Sequence, residues 1–258
     1  MNIVVVMRQV PDLVEGVEIM DSELAIDLDE AAFVVNESDD HALEQALILK
    51  ERVNDTMVTV VVLDHDDVDN MLFTAVAKGA DRVIKIEHDE DVVPDPRSAA
   101  EIYGNVIRAL GPDIVLVGSY AHDELQGVLG PELAVFLDLP FAGVVRGVQL
   151  EDTGPTAVVW KEFAGAMTAR LSVTLPAVLG IVGAEQPPRY VPVNRIRAAM
   201  KSADVEIQPG AAVALDHDIT IRRLYAPQSG AHAEMLTGSE HDIATQIARI
   251  LKDRGVVR

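Results

Sequence analysis

The sequence contains no cysteine. That excludes disulfides, thiolate metal sites and nucleophilic thiols, and it agrees with a reducing compartment, so the expected location is cytoplasmic. Basic residues are also scarce: 21 Lys and Arg stand against 42 Asp and Glu, a formal net charge of -21. A nucleic-acid partner is excluded on that balance, because phosphate neutralisation needs clustered cations. No run reaches the roughly 18 apolar residues of a membrane span. Met1-Asn2 leads straight into the apolar "IVVVM", without a basic n-region or a cleavage site. Neither a leader nor membrane insertion is expected. There is no HExxH spacing among His41, His65, His88 and His122, no GxSxG elbow with partners, no protein-kinase set and no internal repeat. The histidines are read as surface residues. The surplus of acids, with arginine well above lysine, has two readings, a GC-rich genome or a high-salt cytoplasm.

What remains is a strongly patterned chain of 258 residues, 49% of them hydrophobic, enough for one large domain plus an appendage. Four short apolar runs lack strict alternation, as buried parallel strands do: "IVVVM" (3–7), "MVTVVVL" (57–63), "RVIKI" (82–86) and "DIVLVG" (113–118). Helical patterns separate them: "DDHALEQALILKERV", "DNMLFTAVAKGA" and "AAEIYGNVIRAL". This alternation predicts an α/β fold with a doubly wound, mostly parallel sheet. Residues 13–35 interrupt the first crossover as an excursion with hairpin character. Beyond Pro140, "VVRGVQL", "TAVVWKEF", "MTARLSVTL" and "AVLGIVG" read as strands in an antiparallel or mixed extension of that sheet. A Pro-rich stretch "EQPPRYVPV", a short basic helix "NRIRAAMK", a polar arm and a final amphipathic helix near "EHDIATQIARILKDRG" follow. The expected division is a nucleotide-binding domain over 1–207, with a partner-recognition loop near 184–201, and an extended C-terminal arm over 208–258.

Open parallel sheets bind ligands at the carboxyl ends of their strands, near a switch in strand order. Three segments end there: "MRQVPD", "VLDHDD" and "VGSYAHDELQGVLGP" (117–131). "NESDD" (36–40) adds Asn36 and Ser38 as hydrogen-bonding groups. In the third segment Gly118, Gly127 and Gly130 permit close backbone approach, and a helix starting near Gly127 would aim N–H groups at an anion, with phosphate the natural guest. A plain loop entering a helix is the alternative. Asp123 and Glu124 offer an acid–base pair, but in so acidic a chain they are read first as solvated or helix-capping acids.

Taken together these segments, in order along the chain, resemble the beta subunit of electron-transfer flavoproteins, the small-subunit family that includes the nitrogen-fixation-associated FixA type. "IVVVMRQVPD" is similar to the family's strand followed by V-K-Q-V-P-D. "VNESDDHALEQALILKE" resembles N-P-F-D-E-x-A-L-E-E-A-L-x-L-K-E, and "TAVAKGADRVIKI" the segment A-L-A-M-G-A-D-R with its strand. The loop at 118–131 is similar to G-K-Q-A-x-D-G-D-x-G-Q-V-G-P, keeping Gly118, Ala121, Asp123, Gly127, Gly130 and Pro131. "KEFAGAMTARLSVTLPAVLG" and "PPRYVPVNRIRAAMK" resemble the R-E-x-D-G-G-x-E and E-P-R-Y-x-x-L-P-N-I-M-K-A-K-K segments.

The resemblance implies an adenine nucleotide alpha hydrolase-like fold. It also implies a pocket for AMP, or for a second FAD in members that bifurcate electrons. By position this pocket would be lined by Val6, Asn36, Glu37, Ser38, Asp39, Leu63, Gly118, Ser119, Ala121, Asp123, Gln126, Gly127, Val128 and Leu129. The electron-carrying FAD would sit mostly on an alpha subunit, facing this chain near Asp12 and Leu13. Arg189, Tyr190, Val193, Ile196 and Arg197 would form the partner-recognition segment for a flavin dehydrogenase of the acyl-CoA dehydrogenase type, with a quinone oxidoreductase as acceptor. The implied role is an electron carrier, not an enzyme, with no catalytic residue of its own.

Two departures stand out. Ser119-Tyr120 replaces the family's Lys-Gln, while Leu125 and Val128 replace its loop Asp and Gln, which leaves AMP, a second FAD or an empty pocket open. Val193 replaces the leucine anchor of the recognition loop, and Arg195, Arg197 and Lys201 replace a denser lysine run. A bifurcating or nitrogen-fixation-linked complex is the alternative within the family. A stand-alone nucleotide-binding module is the alternative outside it, and the long arm and Pro-Arg-Tyr segment speak against that reading.

Overall fold

The computed structural model describes residues 1–14, 16–28, 31–65, 68–88, 94–124, 126–151, 154–211, 213, 221–226, 233 and 235–257. Leu125, one of the departures above, and most of the polar arm lie outside the described residues. The framework is a nine-stranded sheet in the order β11-β5-β4-β1-β6-β10-β7-β8-β9. In chain order these strands are β1 (Asn2–Val6), β4 (Met57–Leu63), β5 (Arg82–Glu87), β6 (Ile114–Gly118), β7 (Phe141–Leu150), β8 (Thr156–Phe163), β9 (Met167–Thr174), β10 (Ala177–Gly183) and β11 (Val205–Pro209). The seven from β11 to β7 are parallel, and β8 and β9 extend them antiparallel.

Valine-rich runs become central strands because both of their faces are covered. In β1, Ile3 and Val5 point into a core closed by α1 (Glu37–Arg52) and α2 (Val68–Lys78), through Leu43, Leu47 and Leu72. Val4 and Val6 point into a second core, closed by α3 (Pro96–Leu110) and α4 (Leu129–Leu137) through Ile107 and Leu133. Helices on both faces make the sheet doubly wound, as the alternation predicts. Local chemistry sets the ends of α3: Asp95 accepts from the backbone of Arg97 and Ser98, Pro96 opens the first turn, and Gly111 closes the helix in the left-handed region.

The excursion does have hairpin character. It begins earlier than residue 13: β2 (Gln9–Pro11), just before the expected bounds, pairs antiparallel with β3 (Phe33–Val35), and Ile19 bridges Ile26 between them. The mixed extension also holds, with one feature that chain order conceals: β10 returns to lie between β6 and β7, parallel to both. The basic helix is α5 (Val193–Ser202), packed against α2. β11 then pairs with β5, so Gln208 and Pro209 belong to the sheet edge. The final helix, α6 (Glu240–Asp253), has a Ser239–Asp242 capping box and buries none of its residues. Among the described residues, no helix is long and apolar enough to cross a membrane.

Candidate functional site

From β1 the chain steps outward through β4 and β5, then crosses back to β6 on the other side of β1. The order of strands therefore reverses between β1 and β6, and the crevice at their carboxyl ends is the place where such sheets take ligands. β1 ends at Val6, opposite Val117, and the loop at 118–128 leads from β6 into α4.

Asp39, in the first turn of α1, fastens this crevice. Its side chain is fully buried. Oδ1 accepts from Gly118 N at 2.8 Å, while Oδ2 accepts from Arg8 N and Arg8 Nε, both at 3.0 Å. The Arg8 guanidinium reaches further: Nη2 donates to Asp39 Oδ1 at 3.1 Å and to Gly118 O at 3.2 Å, and Nη1 donates to Glu124 Oε2 at 2.9 Å. Burial alone would lower the Arg8 pKa, but the charge and hydrogen bond of Asp39, aided by Glu124, more than offset this and hold it above its ordinary value. Gly118 has no room for a side chain, since a Cβ there would lie 2.2 Å from Asp39 Oδ1 and 2.9 Å from Asp39 N.

Three further contacts fix the loop. Asn36 precedes α1 but does not cap it; its Nδ2 crosses to Tyr120 O at 2.9 Å instead. His122 Nε2 bonds Pro11 O at 2.7 Å, tying the loop to β2. Glu124 Oε1 accepts from Val128 N at 2.9 Å and Leu129 N at 3.3 Å, at the start of α4. Glu124 is thus the helix-capping acid that the composition suggested, and no acid–base pair with Asp123 is built. Beneath the crevice the buried Tyr103 hydroxyl accepts from Leu63 N at 3.2 Å and donates to Met7 O at 3.4 Å, joining the ends of β4 and β1. Burial raises the Tyr103 pKa, keeping the phenol a donor.

The expected pocket residues fall into distinct groups. Asn36, Asp39, Gly118 and the backbone N of Val128 and Leu129 meet at the crevice, with Gly127 in the same loop and Glu37 and Ser38 following Asn36 on α1; Ala121 is buried, and the Leu129 side chain packs in the second core. Gly127 takes a left-handed φ of 60°, which turns the loop back toward α4. Asp123 and Gln126 are exposed. Val6 turns its side chain into the core beside α3 and α4, and Leu63 packs at the edge of that core, so each faces the crevice through its backbone. Ser119 points away: Oγ accepts from Val144 N at 3.1 Å, over Gly180 of β10. Arg8 and Tyr103 were not among the residues expected at the crevice. A largely buried arginine two residues beyond a strand end leaves no periodic trace, although "MRQVPD" had marked the segment.

A second cluster holds the segment after β10. Ala184 N donates to His41 Nδ1 at 3.2 Å, and Glu185 bonds Gln45 and both terminal nitrogens of Arg52. Arg189 donates from N, Nε and Nη2 to the Glu44 carboxylate and from Nη1 to Glu51. Burial would raise the Glu44 pKa, yet the hydrogen bonds and charge of Arg189 hold it below the ordinary value. Arg189 therefore anchors the segment to α1. Tyr190 is 84% and Val193 57% exposed, Ile196 is half-buried and Arg197 exposed.

The family model for the electron transfer flavoprotein domain matches residues 24–213. The electron transfer flavoprotein subunit beta of Methylophilus methylotrophus is 31% identical over 261 residues, covering 98% of each chain. The chain belongs to the electron-transfer flavoprotein beta-subunit family. The subunit beta of Bacillus subtilis (strain 168) is 27% identical over 263 residues, with all of both chains covered. The caffeyl-CoA reductase-Etf complex subunit CarD of Acetobacterium woodii is 25% identical over 266 residues, again end to end. For an electron-transfer flavoprotein beta subunit, the crevice is the place to test for a nucleotide. Its backbone approach suits a phosphate, but the donors at the start of α4 already hold the Glu124 carboxylate, so a phosphate does not fit beside that side chain.

Proposed function

We propose that this chain is the beta subunit of a heterodimeric electron-transfer flavoprotein, carrying electrons from flavin dehydrogenases of the acyl-CoA dehydrogenase type to a quinone oxidoreductase. The observation that carries the reading is the full-length likeness to a subunit beta, 31% identical across 98% of both chains. When bound, FAD supplies the redox chemistry, mostly on the alpha subunit, and this chain supplies positioning. Its exposed apolar residues support a partner: Leu13, Val14 and Tyr225 are 57%, 92% and 74% exposed. Tyr190 and Val193, presented by the Arg189 anchor, are suited to docking a dehydrogenase.

A second reading, an electron-bifurcating or nitrogen-fixation-linked complex with a second FAD in the crevice, draws support from the end-to-end likeness to the subunit of a caffeyl-CoA reductase-Etf complex. One experiment separates the two. Co-expression with the cognate alpha subunit, purification, denaturation and chromatography of released nucleotides should give an equimolar complex with one FAD. Two FAD per heterodimer would favour bifurcation. A chain that forms no complex and binds nucleotide alone would overturn both.

A further inference from the structure

Two features that favour an anion converge in the crevice. One is the start of α4, where Val128 N and Leu129 N have no partners within the helix and the helix dipole is positive. The other is the Arg8 guanidinium. The chain directs both at one of its own carboxylates: Glu124 Oε1 takes the two backbone donors at 2.9 and 3.3 Å, and Oε2 takes Arg8 Nη1 at 2.9 Å. The side chain is 12% exposed, so this is an inward-turned group and not a solvated acid. Arg8 has little to spare: Nε and Nη2 are engaged by Asp39 and Gly118 O and Nη1 already donates to Glu124. A phosphate arriving here would meet donors most of which are taken, with the carboxylates of Glu124 and Asp39 sharing a single guanidinium. Like charge at that range disfavours a second anion.

We propose that Glu124 is a built-in anion that holds the phosphate position of the crevice and makes the pocket discriminate against phosphate-bearing ligands. The inference rests on the reading of the crevice as the beta-subunit nucleotide pocket. It assigns ligand choice to one residue: a nucleoside faces no penalty from Glu124, and a nucleotide enters only with this side chain swung out.

The test uses the heterodimer purified with its alpha subunit, as wild type, Glu124→Gln and Glu124→Ala, titrated calorimetrically with AMP and with adenosine. Glu124→Gln keeps an acceptor for the start of α4 while removing the charge, so it covers the case where Glu124→Ala fails to fold. The expected result is AMP bound at least tenfold more tightly by Glu124→Ala than by wild type, an intermediate gain for Glu124→Gln, and adenosine affinity within twofold across all three. Stoichiometric AMP in freshly purified wild type, equal AMP affinity in all three, an equal gain for adenosine, or no binding of either probe would each overturn the inference. Heterodimer formation and FAD content are read on the same samples, so failure of the beta-subunit reading would show as a missing complex, apart from any result with AMP.

Discussion

The Asp39 carboxylate and the Gly118 amide, 79 residues apart, meet at 2.8 Å and join the first turn of α1 to the end of β6. Because the same carboxylate also neutralises the mostly buried Arg8, it carries more than a helix cap would. Asp39→Asn puts an amide where two acceptor oxygens are needed and leaves Arg8 without its nearest countercharge. Breaking one side of a buried pair costs about 3 kcal/mol, so Tm should fall by roughly 6–12 °C for a domain of this size. Gly118→Ala should be as damaging, because its Cβ meets Asp39 backbone and side chain together. Thermal unfolding of both variants checks this; unchanged melting would show that the crevice can rearrange freely.

Thr59, in the middle of β4, is fully buried, and its hydroxyl has no hydrogen-bond partner among the described residues. It lies opposite Val4, on the α3 side of the sheet with Val61. Burying an unsatisfied hydroxyl costs about 1–2 kcal/mol. Thr59→Val keeps the shape and the β-branched preference for a strand. It should raise Tm by roughly 2–8 °C, and a lower Tm would mean that the hydroxyl has a partner after all.

Much of this arrangement was legible in the sequence, and the rest was hidden for physical reasons. Runs such as "MVTVVVL" become strands wherever they lie, because two covered faces require unbroken hydrophobicity. Periodicity does not order strands, however, so nothing in "AVLGIVG" says that β10 inserts between β6 and β7. The glycines and acids of the loop at 118–131 identified the crevice by type. Which acid does what depends on partners far along the chain: Glu124 finds Arg8, 116 residues away, and Arg189 finds Glu44, 145 residues away. Ser119 shows the converse, a polar residue in the expected place whose hydroxyl serves β7 instead.

The Glu44–Arg189 pair should leave a signature in acid. The folded-state pKa of Glu44 lies below its ordinary 4.5, so the folded state holds the proton less tightly than the unfolded one. The pair therefore contributes stability fully above that ordinary value and loses it as pH falls through the lower folded value. Glu44→Gln should destabilise the protein near neutral pH and flatten the acid limb below about pH 4.5. Urea midpoints measured across the acid range for both proteins test the sign; parallel curves would mean that Arg189 does not depend on the charge of Glu44.

The last helix bears on partnership. In α6, Ile243, Ile247, Ile250 and Leu251 fall at the spacing of a single apolar stripe, yet none is buried, and Ile247 is 45% exposed. A capped helix of 14 residues is marginal by itself, because its stability ordinarily comes from packing an amphipathic face. On the proposed heterodimer that face packs against the alpha subunit. Ile247→Asp would then remove the burial of one isoleucine, worth about 2 kcal/mol, and weaken the heterodimer on the order of 30-fold or more. The isolated chain should melt as before, since the stripe contributes nothing to its two cores. Sedimentation of the purified complex over a dilution series gives the dissociation constant, and an unchanged constant would remove α6 from the interface while leaving the Tyr190 and Val193 surface to be tested separately.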